Sequence, residues 1–233
     1  MSRETFGKQT VFGSGNQIMQ GGRNNRQTQG AAEPDERLSP LEEAAREQAE
    51  LGRSIFVVYG RDDEVTNAVF QLLRRLGLRP LEWEMLVRGS DGGMMPPLSD
   101  IVIKAPNQAS AAVVVLTPDD LVMLQRDLRK PNEESYELHP ALQPRPNVLL
   151  ELGIALGVYP LRTLVLQFGE LRPIADLAGL NTVRFHQSAR HVDALRKIAG
   201  RLQQAGLPVD DSGSDWLDPV PFENLRAYRR RPG

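Results

Sequence analysis

The stretch 54-SIFVVYG-60 decides the fold of this chain, because it is a continuous run of β-branched and aromatic residues that ends in a glycine. Strands buried on both faces have this unbroken apolar character, whereas half-exposed strands alternate between apolar and polar residues. The run therefore predicts an interior strand of a sheet that is covered by helices on both faces.

Helix and strand patterns alternate on the carboxyl side of this strand, interrupted by a long polar stretch at 119–145. The predicted elements are helix 63–76, strand 79–84, helix 98–107, strand 111–117, helix 146–157, strand 161–168, a short helix near 171–177, strand 181–185 and helix 188–205. Five strands that alternate with helices predict an α/β fold with a five-stranded parallel sheet and helices on both faces.

The composition divides the chain into four segments. Residues 1–37 are rich in Gly, Asn and Gln and predict a disordered tail, because such a segment cannot bury a core. Residues 38–53 predict a connector helix, 54–206 the folded domain, and 207–233, which lack a strong period, a loosely ordered carboxyl-terminal tail.

The bulk composition excludes several classes of protein. The 28 basic and 30 acidic residues give a net charge of −2 and no reason to expect nucleic-acid binding. The absence of cysteine excludes disulfides and thiolate catalysis, and the three histidines lack metal-ligand spacing, so we expect no metal. No apolar run is long enough to cross a membrane and no signal-peptide pattern opens the chain, so the sequence predicts a soluble, cytoplasmic protein.

The helix pattern 145-RPNVLLELGIALG-157 is apolar on nearly every side, yet it contains the carboxylate of Glu151. An unpaired buried carboxylate is costly, so such a group has a partner, shifts its pKa or faces a cleft. Asn147 precedes Glu151 by one turn on the same face. Pro146 suits a first helical position and makes Arg145 extended. The sequence leaves open whether Glu151 is ion-paired or functional.

Polar residues follow two of the predicted strands. Gly60, Arg61 and Asp62 come after the first strand, and the run from Thr117 to Asp120 follows the third. The carboxyl ends of parallel strands meet at one rim of the sheet, where ligands bind. Aspartates in such places are also common helix caps and turn formers. Convergence at one rim favours a site.

Four motifs together resemble a known family. The stretches 55-IFVVYGRDDEV-65, 76-LGLRPLEW-83, 112-AVVVLTPDD-120 and 145-RPNVLLELGIALG-157 are similar to the bacterial TIR-like family, relatives of the TIR effectors of anti-phage signalling systems. The resemblance covers roughly residues 54–206. It implies a flavodoxin-like TIR fold and cleavage of the nicotinamide–ribose bond of NAD.

The resemblance also implies roles for individual residues. Glu151 matches the essential glutamate of the family's Asn-Val-x-x-Glu-Leu-Gly motif, and NAD is then the substrate, with no cofactor. The substrate-binding residues implied by the motifs and their positions are Gly60, Arg61, Asp62, Thr117, Asp119, Asp120, Arg145 and Asn147. Arg61 replaces the family's usual histidine, Pro146 replaces a glutamine, and the loop 85–97 diverges from the family's pattern.

The amino-terminal segment suggests how the enzyme is controlled. Residues 10–22 combine apolar, Gly, Asn and Gln positions, a composition that can stack into cross-β ladders. Gly13, Asn16 and Met19 resemble an amyloid signalling motif with one extra residue before the methionine. Because TIR enzymes are generally activated by assembly, we expect self-assembly through the TIR domains and a sensor protein with a matching amino-terminal motif as partner. Active sites of TIR enzymes of this class are often completed by a neighbour's loop, and the sequence leaves open whether residues 85–97 do so.

Two other functions remain open from the sequence. A nucleoside deoxyribosyltransferase-like enzyme also uses a glutamate in a helix with a Glu-x-Gly motif and also breaks an N-glycosidic bond. A non-catalytic TIR-like scaffold would bind a partner or a nucleotide signal and would keep its function after replacement of Glu151.

Overall fold

The alternation of strands and helices builds one α/β domain. The structure is a computed structural model that describes residues 39–82, 104–177, 179–180, 182–187 and 190–232. In chain order its elements are α1 Pro40–Arg53, β1 Ser54–Val58, α2 Asp63–Arg75, β2 Arg79–Glu82, β3 Ala111–Leu116, β4 Asp120–Val122, α3 Ser135–Leu138, β5 Ala141–Gln143, α4 Pro146–Val158, β6 Thr163–Phe168, β7 Val183–Phe185 and α5 His191–Gln204.

Five strands form the predicted parallel sheet, in the order β2-β1-β3-β6-β7. This order confirms the flavodoxin-like topology, in which the direction of winding reverses between β1 and β3. The reversal leaves a crevice outside the carboxyl ends of these two strands, because the connections from them leave toward opposite faces of the sheet. Any ligand site of the usual kind for this fold is expected at that crevice.

The sheet is covered on both faces. Residues of β1 alternate between the two cores, with Ile55 and Val57 in one and Phe56 and Val58 in the other. The first core contains α2, α5 and carboxyl-terminal residues, and the second contains the inner face of α4. Every residue of β1 and β3 is buried, as their unbroken apolar sequences predict.

The polar stretch 119–145 is not a simple loop. It contains a two-stranded antiparallel ribbon, β4 with β5, in which Asp120 lies opposite Gln143. The ribbon returns the chain to the start of α4, and α3 within it is held to the rest of the domain by an ion pair between Glu137 and Arg172. Residues 119–145 are thus held in place by a strand pairing and an ion pair of their own.

Residues 207–232 correct a prediction, because they are packed and not loosely ordered. Their three short 3-10 turns, Asp215–Leu217, Val220–Phe222 and Arg226–Tyr228, place Trp216, Phe222 and Tyr228 in the first core. Burial also raises the pKa of the Tyr228 hydroxyl, which donates a hydrogen bond to the carbonyl of Phe222. We call residues 207–232 the C-terminal segment.

Phe222 shows how tightly the C-terminal segment is packed. Its side chain is 1% exposed, and its ring centroid lies 5.2 Å from that of Phe185 in β7 and 6.4 Å from that of Phe168 in β6. The carbonyl of Ala227 lies so close to Gly169, which has a φ of +69°, that a Cβ at Gly169 would overlap it. The segment therefore closes one edge of the core.

Helix α1 runs directly into β1 without a loop. Its amino terminus carries a capping box between Ser39 and Glu42, and none of its residues is buried. The junction is held by the Ser54 hydroxyl, which donates to the carbonyl of Glu50 at 2.8 Å, and by the Ser110 hydroxyl, which donates to the carbonyl of Gly52 at 3.0 Å. Residues 40–53 are thus a helix that continues directly into the sheet.

Several predictions fall outside the described residues. They concern the disordered tail at 1–37 with its motif at 10–22, the end of the second strand at 83–84, the loop 85–97, and residues 98–103 of the predicted helix 98–107. At the end of that helix prediction the structure describes a 3-10 turn, Ala105–Asn107.

Candidate active site

A cleft lies at the crevice that the strand order predicts. It has a volume of about 310 Å³ and is lined by the end of β1, the turn after it and the first two turns of α4. Its lining residues are Val57, Tyr59, Gly60, Arg61, Arg145, Asn147, Val148 and Glu151. Gly60, Arg61, Arg145, Asn147 and Glu151 are all residues that the sequence singled out, so two motifs far apart in the chain meet here.

Glu151 reaches the cleft because of how α4 packs. Val148, Leu152 and Ala155 form the buried face of the helix against the sheet. Glu151 lies beside this face and is half-buried, and Asn147 lies one turn earlier and is exposed. The carboxylate is therefore at the edge of the core, between dry packing and the open cleft.

The start of α4 is fixed as predicted. Arg145 is extended, with φ −57° and ψ 145°, and Pro146 follows as the first helical residue. Since Pro146 makes the extended backbone of Arg145 the favoured one, this geometry is encoded locally. Arg145 therefore lines the cleft from the start of α4.

Two cations line the cleft. Arg61 is exposed and Arg145 half-buried, and within the part of the chain that the structure describes neither guanidinium forms an ion pair. Guanidinium groups bind phosphate oxygens in a bidentate manner, with planar geometry that lysine lacks. The cleft thus combines one carboxylate with two arginines able to bind an anionic group.

Two aspartates predicted for substrate binding have other contacts. Asp62 caps α2, where its Oδ1 accepts from the N–H of Val65 at 3.1 Å. Asp119 accepts through Oδ2 from the N–H of Arg61 at 3.0 Å. The remaining oxygens face Arg230 of the C-terminal segment, whose Nη1 lies 2.9 Å from Asp62 Oδ2 and 3.6 Å from Asp119 Oδ1. Asp62 and Asp119 therefore do lie close together, as expected, but the cation between them is Arg230.

Position 60 requires glycine because the side chain of Asp119 approaches it closely. A Cβ at this position would overlap Oδ2 of Asp119 and lie 3.1 Å from the hydroxyl oxygen of Thr117. The Thr117 hydroxyl is buried and has no hydrogen-bond partner among the described residues. Asp120 is the first residue of β4 and is half-buried. Asp62, Thr117, Asp119 and Asp120 do not line the cleft, so their role in substrate binding stays a prediction.

Sequence reasoning missed Arg230. It belongs to the run 229-RRRPG-233, within a segment for which the sequence predicts a loosely ordered tail because the segment lacks a strong period. The only local signal is the nearby aromatic residues Phe222 and Tyr228, which are unusual for a solvated tail. No pattern within the segment indicates that an arginine returns to the ends of β1 and β3.

The other cavities among the described residues are weaker candidates for the active site than this cleft. A cavity of about 690 Å³ at the ends of β6 and β7 and one of about 500 Å³ near α1 are larger, but neither lies at the reversal of the strand order. The described residues contain no cluster of three or more His, Asp or Glu that could hold a metal ion. None of the described helices is long and apolar enough to span a membrane.

Comparison with known proteins agrees with the fold. Residues 54–187 match the sequence model of the family described as "CAP12/Pycsar effector protein, TIR domain", a range that runs from β1 to just past β7 and includes the whole cleft. The chain is also 28% identical over 163 residues to the uncharacterized protein YuaY of Escherichia coli strain K12. That alignment covers 69% of this chain and 48% of YuaY, so the chain spans about half the length of this curated relative.

Proposed function

The chain belongs to the TIR-domain family of CAP12/Pycsar effector proteins, a family of anti-phage signalling, and from this premise we propose that it is an NAD nucleosidase. The reaction is hydrolysis of the bond between nicotinamide and ribose. Glu151 is the catalytic residue, because its carboxylate lines the cleft at the reversal of the strand order together with two arginines that have no acidic partner among the described residues. That arrangement is the observation that carries the proposal.

Cleavage of this bond requires a carboxylate near the ribose but no general acid. Nicotinamide leaves as a neutral molecule because it is cationic while it is bound to ribose, so no proton has to be delivered to it. The ribose carbon becomes oxocarbenium-like, and a carboxylate stabilises the developing positive charge. A half-buried carboxylate interacts with that charge more strongly than one in bulk water, because the surrounding dielectric constant is lower.

The arginines supply the binding part of the proposal. Arg61 and Arg145 bind the pyrophosphate of NAD, and Asn147 orients the ribose or the Glu151 carboxylate. A cleft of about 310 Å³ is at the small end of ligand sites. We therefore assign the nicotinamide riboside end of NAD to the space beside Glu151 and the adenosine end to the mouth beyond the arginines.

We also propose that the enzyme is activated by self-assembly in a bacterial immune response. Its described surface carries Leu121, Met123 and Leu128, each at least half exposed, on the excursion that leads to α4. Since contiguous exposed apolar patches mark surfaces that bind other proteins, these side chains are candidates for the contact. Assembly raises the effective concentration of the domains, so weak pairwise contacts between them suffice.

Deletion of residues 1–30 is expected to abolish assembly and induced activity, measured by sedimentation and by NAD loss.

The first experiment measures NAD consumption and nicotinamide release by the purified protein at high concentration, with and without a crowding agent. Glu151→Gln, which keeps the shape and removes the charge, is expected to abolish turnover while leaving the circular dichroism spectrum unchanged. Glu170→Gln is the matched control, since Glu170 is exposed beyond the end of β6 and does not line this cleft.

Each outcome has a distinct meaning. Turnover that survives Glu151→Gln would remove Glu151 from the mechanism. No NAD loss in any assembled state, combined with base exchange on a free nucleoside, would support the deoxyribosyltransferase-like reaction. Absence of both reactions in the folded protein would support a scaffold that binds partners.

A further inference from the structure

Two buried carboxylates and one arginine form a cluster next to the turn that follows β1. The side chains of Asp62 and Asp119 are 3% and 5% exposed, and that of Arg230 is 35% exposed. Nη1 of Arg230 lies 2.9 Å from Asp62 Oδ2, 3.6 Å from Asp119 Oδ1 and 3.4 Å from the carbonyl oxygen of Pro118. One guanidinium thus joins the ends of β1 and β3 to the C-terminal segment.

Each carboxylate has one oxygen on a backbone N–H and the other near Arg230. Asp62 accepts from the N–H of Val65 through Oδ1, and Asp119 accepts from the N–H of Arg61 through Oδ2. The other two oxygens lie within ion-pair distance of Arg230 Nη1, and Asp62 Oδ2 is buried without a hydrogen-bond partner among the described residues. The charge of Arg230 thus compensates two carboxylates that hold the backbone at Arg61 and in the first turn of α2.

The cluster is connected to the cleft through Asp119. Its bond to the N–H of Arg61 and its close packing against Gly60 determine the path of a backbone turn that lines the cleft. Removal of Arg230 would leave two buried carboxylates side by side without a compensating charge. Like charges repel and an uncompensated buried charge is strongly unfavourable, so the aspartates would move toward solvent. Such a movement breaks the bond between Asp119 and the N–H of Arg61.

We propose that Arg230 is a positioning residue that holds Asp62 and Asp119 and thereby fixes Gly60 and Arg61 in the catalytic cleft. The C-terminal segment, which lies outside the range matched by the family, is then a working part of the active site. The catalytic consequence rests on the proposed NAD nucleosidase activity, whereas the structural consequence for the turn does not.

The test compares Arg230→Gln with Arg226→Gln. Arg226 is in the same segment and pairs with Glu64 of α2 at 2.7 Å, but it is exposed and forms no ion pair with Asp62 or Asp119. Each variant removes an ion pair between the C-terminal segment and the start of α2, and Arg230→Gln also removes the pair with Asp119. Only Arg230→Gln removes the charge that holds the turn, so any difference between them comes from the cluster.

Two readouts are used on the full chain. Amide hydrogen exchange, followed by NMR at the N–H groups of Arg61 and Val65, is expected to be at least about tenfold faster in Arg230→Gln than in Arg226→Gln, because both N–H groups donate to the aspartates. With NAD as substrate, kcat/KM is expected to fall by up to about 100-fold in Arg230→Gln, the order of loss caused by small misplacements. Arg226→Gln is expected to retain wild-type kinetics.

Equal exchange rates at Arg61 and Val65 in the two variants would overturn the proposal. If the wild-type chain does not cleave NAD, the proposed function fails, and the exchange comparison still decides the role of Arg230. If Arg230→Gln does not fold, Arg230→Lys replaces it, with Arg226→Lys as its control. Lysine keeps the charge, but its side chain is shorter than that of arginine and does not bring its nitrogen to the position of Nη1. Arg230→Lys is therefore expected to fold and to show faster exchange at Arg61 and Val65 than Arg226→Lys; equal exchange in these two variants would overturn the proposal.

Discussion

Replacement of Phe222 by alanine tests whether the C-terminal segment belongs to the core. The side chain is 1% exposed and stacks near Phe185 and Phe168, so truncation removes a fully buried ring and leaves a cavity. Burial of the ring contributes about 1.5–3 kcal/mol, and lost contacts and the cavity bring Phe→Ala changes to about 3–5 kcal/mol. For a domain of this size, about 4 kcal/mol lowers Tm by roughly 8–16 °C.

The measurement is urea unfolding of the two variants Phe222→Ala and Val220→Ala, followed by circular dichroism. Val220 lies in the same 3-10 turn but is 66% exposed, so its truncation is expected to change the free energy of unfolding by less than about 0.5 kcal/mol. If Phe222→Ala is no more destabilising than Val220→Ala, then the segment does not contribute to the core and the structural reasoning about its aromatic residues is wrong.

Three further predictions concern the turn after β1, the C-terminal segment and the cleft. Gly60→Ala is expected to displace Asp119, with which its Cβ would overlap, and to lower both Tm and activity; unchanged values in thermal melts and NAD assays would contradict this. Hydrogen bonds from Arg226, first from its backbone N–H, lower the pKa of Glu64. This bond therefore stabilises the fold above the unfolded pKa of about 4.3 and is lost as the pH falls through the folded value. The Tm difference between wild type and Glu64→Gln should accordingly shrink in acid, and a constant difference would argue against the bond. Arg145→Gln is expected to raise KM for NAD, more at low salt than at high salt, with Tm unchanged.

The sheet could be predicted because its determinants are local. An unbroken apolar run such as β1 or β3 can bury all its side chains only where helices cover both faces of the sheet. The helices between the strands carry apolar residues at helical spacing. The start of α4 was predictable for the same reason, since Pro146 restricts Arg145 and fixes where the helix begins. The position of Glu151 on the cleft followed from these two features together with the strand order.

The C-terminal segment could not be predicted because its structure is not local. Its 3-10 turns are too short to give a period, and Trp216, Phe222 and Tyr228 become core residues only once β7 and α5 supply a surface for them. The contacts of Arg230 depend on two strand ends that are distant in the chain. Sequence motifs located Asp62 and Asp119 correctly at one rim, but only the fold reveals which cation they face.

The loop-free junction between α1 and β1 has a mechanical consequence. Because Arg53 ends the helix and Ser54 begins the strand, no loop residues separate α1 from β1, which is an interior strand of the sheet. The far end of the same strand leads into the turn at Gly60 and Arg61. A truncated chain that begins at Ser39 should therefore carry a flexible spacer before any fusion partner or surface attachment, since a force applied to α1 would reach β1 and the turn at the cleft.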